Sequence, residues 1–190
     1  MSQREVGQSP DEVFDVVDEH DRVIGKDLRG EIHRRGLRHR AVHIFWLRPD
    51  GQLCLQRRSF AKDNSPGLLS SSCAGHVDSG ETYETAAVRE LAEELGVRVP
   101  ADRLAEVDYA PSHPELGHEF VRSYVLCGGY DTVLAEHEVD ALLWRTPFET
   151  DAWMRTHPGL FATPLRHLMG RPAIRRALGL PVVDADKCLK

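Results

Sequence analysis

The chain is poor in the features that would tie it to a membrane or to a long nucleic acid. No apolar stretch in its 190 residues approaches the ~18 to 20 needed for a bilayer-spanning helix. Positive charge is outweighed, 24 Lys and Arg against 30 Asp and Glu, a formal net charge of −6. That balance argues against a surface that coats polymeric nucleic acid, while leaving room for a nucleotide in a local basic pocket. Cysteine is sparse and scattered at 54, 73, 127 and 188, with no paired metal-ligand spacing. The opening MSQREVGQSPDE is polar and has no signal-peptide core, so a reduced, cytoplasmic protein is expected. What is present, 41% hydrophobic and 28% charged residues without an internal repeat, is ordinary for one globular domain with a substantial core.

Against that plain background one segment stands out. Gly75 to Val97, GHVDSGETYETAAVRELAEELGV, places Gly75, Glu81, Arg89-Glu90-Leu91, Glu93-Glu94 and Gly96-Val97 at fixed intervals. A chance match to that spacing at a given start is on the order of one in a billion at background residue usage. The same residues predict a helix over 83–95, with Thr82 as N-cap after Ser79-Gly80 and Gly96 as the left-handed stop. At about 100° per residue, Val88, Leu91, Ala92 and Leu95 share one arc for packing, and Glu90, Glu93 and Glu94 share the nearly opposite, anionic one.

Three carboxylates at i, i+3 and i+4 repel one another unless a cation joins them. All-oxygen donors suit a hard divalent ion, Mg²⁺ or Mn²⁺, which keeps several waters and also binds substrate phosphates; zinc is disfavoured. Arg89 stands beside the acidic arc, placed to orient Glu81 or one of the helix glutamates through a bidentate bond. Gly75 and Gly80 let backbone approach the metal or a phosphate closely.

The segment resembles the Nudix box of the Nudix hydrolases and matches it without a departure. The resemblance implies an α/β fold, an α/β/α sandwich around a mixed β-sheet, and Mg²⁺- or Mn²⁺-dependent hydrolysis of a nucleoside diphosphate linked to another group. It makes Glu90 and Glu94 the principal metal ligands, with Gly75 beside them and Glu93 a further ligand or the general base; Glu115, Glu119 and Glu138 are alternative bases.

From about Phe14 to Trp144 the chain is similar to the branch that contains the type I isopentenyl diphosphate isomerases and their hydrolase-like relatives. The isomerase uses a cysteine directly before the glycine and histidine that open the box; here that position is Ala74, and Cys73 is one place early, facing away if the stretch is a strand. Of the isomerase's histidine and glutamate metal ligands, His39 and His76 match, His33 matches only with a one-residue gap, Glu119 matches one glutamate, and Gly117 stands in place of the other. A second metal site at His39 and His76 is therefore weighed beside the reading of those histidines as structural. The incomplete set and the intact helix glutamates favour hydrolysis over isomerisation or a non-catalytic diphosphate-binding module. Arg58 and Lys62 match an arginine and lysine, four residues apart, that contact the diphosphate in this branch; with Arg57 they form the expected substrate-binding group.

The rest of the chain divides into a loose tail over 1–11, a Nudix domain over 12–165 and a helical extension over 166–190 packed on the domain or on a second copy in a homodimer. Strands are expected near 13–17, 40–48, 52–57, 104–110, 119–127 and 139–145, the second and third as a hairpin around Pro49-Asp50-Gly51. Helices are expected after Pro147 and Pro164, and Gly170-Arg171-Pro172 breaks the basic C-terminal stretch before it can form one long amphipathic helix. A small organic diphosphate is the expected partner, with neither polymeric nucleic acid nor membrane.

Overall fold

The computed structural model describes residues 11–62 and 64–182. The expected tail, apart from Asp11, and Cys188 lie outside the described residues. Strands β1 (Val13–Val17) and β2 (Val23–Leu28) form an antiparallel pair, and a short helix α1 (Arg29–Arg35) follows. Neither β2 nor α1 was expected, for a physical reason: β2 is exposed at most positions and shows no alternation, while Ile32 is the sole large apolar residue of α1.

The main sheet is built from β3 (His39–Leu47), β4 (Leu53–Arg58), β5 (Leu69–Ser70), β6 (Cys73–His76), β7 (Leu104–His113), β8 (Glu119–Cys127) and β9 (Val139–Arg145). Its order is β5-β4-β3-β8-β7, with β6 also paired to β3 and β9 to β4. β3 and β8 run parallel from His39↔Glu119 to Leu47↔Cys127, and the other pairs are antiparallel, so the sheet is mixed. The expected β3–β4 hairpin closes at a single pair, Leu47↔Leu53. Beyond the turn β3 takes its ladder from β8 and β6, and β4 from β9 and β5; longer tertiary pairings override the local signal.

Helix α2 (Tyr83–Leu95) covers one face of the sheet, and α3 (Pro147–Thr156), α4 (Thr163–Met169) and α5 (Pro172–Ala177) belong to the other side. Alternation on β3 divides the core. Val42, Ile44 and Trp46 pack with Leu91 and Leu95 of α2, whereas Ala41 and Phe45 pack with Leu165, Leu168 and Ile174. Burial on both faces explains why β3 reads as a nearly continuous apolar run. Gly170-Arg171 separates α4 from α5, as the sequence indicated, and both helices contribute to the same core cluster.

Candidate active site

Helix α2 has the expected bounds. Thr82 Oγ1 accepts the Thr85 N–H at 3.2 Å, Thr85 Oγ1 accepts the Thr82 N–H at 3.1 Å, and Gly96 ends the helix at φ +69°. Its acidic side departs from expectation. Glu94 is 2% exposed and buried beside Leu91 and Leu95, while Val88 and Ala92, assigned to the packing arc, are only partly buried. The buried side runs instead through Tyr83, Ala86, Ala87, Leu91, Glu94 and Leu95. The glutamate is tolerated there because β4 supplies a polar partner: alternation sends Cys54 into the α2 side of the core and Gln56 with it. Gln56 Nε2 donates to Glu94 Oε2 at 2.8 Å, and the Ala74 N–H donates to the same oxygen at 3.4 Å.

Strand β6 brings the box glycine to the helix. Cys73 and Val77 pack with α2, so Gly75 lies on that side and Ala74 and His76 turn to the other. A Cβ on Gly75 would fall 1.9 Å from Glu90 Cδ, so only a residue without a side chain admits the carboxylate. Glu90 and Glu94 thus approach each other in a largely dehydrated corner. Burial and the Glu94 charge push the Glu90 carboxyl up to about 8. Two neighbouring carboxylates in such a corner, with oxygen as their donor atom, fit a hard divalent cation. Glu93, one position before Glu94, is well exposed and opens onto the same cleft of about 430 Å³, which Lys62, Asp78 and Glu138 also line.

Arg89 fixes this corner from the side. Its Nε and Nη2 donate to the two Glu81 oxygens at 3.2 and 2.9 Å, and Nη1 donates to Glu90 at 2.7 Å and Glu93 at 3.1 Å. Nη2 also reaches the His76 carbonyl at 2.9 Å, tying α2 to the end of β6. The guanidinium pKa is raised by Glu81 and Glu90 despite the lowering effect of burial.

The second face of β6 carries a different constellation. His76, His39 and His33 place nitrogens within 4.8 Å of one another, and Glu119 Oε1 lies 3.3 Å from His76 Nε2 and 3.6 Å from His39 Nε2. His33, which fitted its sequence pattern only with a gap, is carried in by α1, a helix the sequence did not announce. Nε2 of His33 and of His39 is buried without a hydrogen-bond partner. Burial and the neighbouring rings hold His33 at about 4, and the two histidine contacts keep Glu119 below the usual carboxylate range although burial opposes this. Glu119 therefore sits with the histidines, away from the helix glutamates, and lines a second cavity of about 460 Å³. Ala74, Gly75 and His76 form a wall common to both cavities.

The basic residues are split. Arg57 is corrected: it is exposed, pairs with Asp140 and lines neither cavity. The β4–β9 register shifts from Arg57↔Ala141 to Arg58↔Val139, which leaves Asp140, the partner of Arg57, as the extra residue on β9; neighbouring residues of a strand point to opposite faces. Arg58 lines the histidine-side cavity and donates from Nε to the Asn64 carbonyl at 2.9 Å. Lys62 reaches the metal-side cleft, where it is buried in close contact with Glu138 and 3.9 Å from Glu94 Oε1. Burial lowers its ammonium to about 8. The sequence reading missed Gln56 and the Lys62–Glu138 pair; no local signal marks either, since both contacts join residues distant in sequence.

Comparison with known proteins identifies the family. The NUDIX domain profile matches residues 37–160. Isopentenyl-diphosphate Delta-isomerase 2 of Photorhabdus laumondii is 33% identical over 153 residues, spanning 80% of this chain and 86% of that protein. An uncharacterized Nudix hydrolase of Nostoc is 35% identical over 144 residues, 75% of this chain and 85% of the other. Among solved structures, that of DR0079 from Deinococcus radiodurans aligns with 94% of this chain and 100% of its own at 28% identity and a TM-score of 0.67. With a mixed sheet flanked by helices and an intact set of box residues gathered around Gly75, the chain belongs to the Nudix family and is an enzyme of its diphosphate-cleaving hydrolase kind.

Proposed function

We propose that this enzyme hydrolyses the diphosphate linkage of a nucleoside diphosphate derivative or a similar organic diphosphate, using Mg²⁺ or Mn²⁺ held by Glu90 and Glu94 with Glu93 at the edge. The single observation that supports it most is the pressing of Glu90 and Glu94 against Gly75, where burial and mutual repulsion leave a site short of positive charge. When bound, the cation would neutralise the diphosphate and acidify a water molecule. The chain's own residues do the rest. Arg89 holds Glu81, Glu90 and Glu93 in one arrangement, so little reorganisation accompanies charge development. Glu93, exposed to the cleft, is the nearest base to accept the water's proton, with Glu115, Glu119 and Glu138 as alternatives. Lys62 and Arg58, one in each cavity, bind the substrate's phosphates and position them across the 74–76 wall.

The proposed setting is the cytoplasm, where Cys54, Cys73 and Cys127 remain free thiols; among the described residues no helix is long and apolar enough to cross a membrane. Residues 12–165 form the proposed catalytic unit and 166–190 its extension, with homodimerisation as part of the same proposal. The test is a panel of nucleotide and organic diphosphates assayed for metal-dependent phosphate or phosphomonoester release with product identification. Turnover of at least one substrate that disappears with EDTA and in Glu94→Gln is expected. Absence of turnover across the panel, or metal-independent turnover, would remove the proposal.

A second reading is favoured by the unpartnered Nε2 atoms of His33 and His39. They suit a metal held by His33, His39, His76 and Glu119 in the manner of the isomerase branch, with Ala74 in place of the isomerase's cysteine and Gly117 in place of its second glutamate. Mn²⁺ stoichiometry that is unchanged by H39A/H76A, with no isomer formed from isopentenyl diphosphate, would eliminate it.

A further inference from the structure

Away from both constellations three side chains meet: His113 at the end of β7, Glu115 in the 3₁₀ turn Pro114–Leu116, which lines the 460 Å³ cavity, and His167 on α4. Their candidate donor atoms lie within 4.8 Å of one another. His167 comes from more than fifty residues along the chain, so the tertiary fold, and no helical repeat, brings the set together.

An ion pair alone would need one histidine. His167 Nδ1 already lies 2.8 Å from Glu115 Oε2, and such an exposed pair adds little stability. The structure adds a second imidazole, His113, with its ring 4.6 Å from that of His167 and Nδ1 3.8 Å from the same carboxylate oxygen. His113 Nδ1 accepts the Glu115 backbone N–H at 3.2 Å, a bond that a metal at this nitrogen would replace. Bonds of about 2.0 Å in a tetrahedral shell put neighbouring donors roughly 3.3 Å apart. The observed 2.8 and 3.8 Å separations bracket that distance.

We propose that His113, Glu115 and His167 form a binding site for a borderline transition-metal dication, Zn²⁺ foremost, separate from the Mg²⁺ or Mn²⁺ site of the box. Two imidazole nitrogens and one carboxylate are a donor set that zinc uses with water in the fourth position, and one that Mg²⁺ disfavours. The ion clasps the 3₁₀ turn to α4. Pro114, Glu115 and Leu116 from the turn and Thr163 and Pro164 from α4 line the same cavity, so the clasp fixes the spacing of two of its walls.

The experiment uses the full-length protein, stripped of metal and kept in millimolar Mg²⁺, titrated with Zn²⁺ against a chromogenic chelator and followed in parallel by the melting temperature. Wild type and H113A/H167A are compared; His113 and His167 are exposed or partly exposed, and circular dichroism verifies that the variant folds. The double variant is expected to lose one equivalent of bound Zn²⁺, weakening that step at least a hundredfold, and to lose the zinc-dependent rise in melting temperature, while H39A/H76A retains both. Equal zinc stoichiometry and affinity in wild type and H113A/H167A, or no zinc bound by wild type, would overturn the proposal. Because neither readout uses turnover, a negative result here is independent of whether the hydrolase reading holds. Should H113A/H167A misfold, loss of the His113 and His167 imidazole proton resonances of wild type on Co²⁺ addition supports the site, and their persistence refutes it.

Discussion

The Glu90 carboxylate fills the space that a Cβ on Gly75 would occupy, with Cδ 1.9 Å from the ideal Cβ position. Gly75→Ala therefore has to displace either the strand or the acid. Because β6 is tied to β3 from Ala41↔His76 to Ile44↔Cys73, the acid is the part expected to move. Mn²⁺ affinity, read by electron paramagnetic resonance, should fall at least tenfold while far-ultraviolet circular dichroism is unchanged. Wild-type affinity in this variant would show that Glu90 does not ligate.

Arg89 donates to three carboxylates and one carbonyl, a pattern that requires a planar fork. Arg89→Lys keeps the charge and loses the fork, and should cost on the order of 1 to 3 kcal/mol in stability from unmet charged hydrogen bonds. Arg89→Ala leaves partly buried carboxylates without a counter-charge and should cost more, about 3 to 5 kcal/mol. Urea unfolding of both variants measures the difference; equal stability of the two would mean that geometry is irrelevant here.

Metal binding should depend on pH through Glu90. Its carboxyl is raised to about 8, so below that value a bound metal must displace a proton. Affinity is expected to rise with pH toward about 8 by up to tenfold per unit and then level off. Calorimetric Mn²⁺ titrations at pH 6.5 and 7.5 check this, and a flat profile would contradict the assigned ligand.

His43 predicts an acid limit to stability. It is 5% exposed, its Nδ1 lies 2.7 Å from Ser71 Oγ, and burial lowers its pKa from 6.5 to about 4. The folded value lies below the unfolded one, so the unfolded chain takes the proton first. Stability from the neutral form is complete above about pH 6.5 and is lost as pH falls toward 4, by up to about 3 kcal/mol. His43→Gln should flatten that part of the urea-midpoint profile; an unaltered slope would assign the effect elsewhere.

Glu94 tests how much of the site is structural. Gln56 and the Ala74 N–H both donate to its Oε2, so Glu94→Gln preserves the volume but can present a donor to donors. Turnover should drop by orders of magnitude with a stability change of about 1 kcal/mol. Near-normal turnover would exclude Glu94 as an essential ligand.

The sequence by itself determined the helix and its chemistry. Thr82, the apolar periodicity through Leu91 and Leu95, and Gly96 are local signals acting over a few residues, and the spacing of Arg89, Glu90, Glu93 and Glu94 is fixed once that stretch is helical. The apolar run of β3 and the prolines at 147 and 164 were legible for the same reason. Tertiary structure decided the rest. Whether Glu94 meets water or Gln56, and whether Arg57 or Arg58 faces a cavity, depend on which strand lies beneath the helix and on which elements close the cavity. The histidine clusters depend on α1 and α4, short helices that bring His33 to His39 and His76, and His167 to His113. Such contacts join residues far apart in the chain through packing that no window of neighbouring residues contains, and they govern which charges are desolvated together.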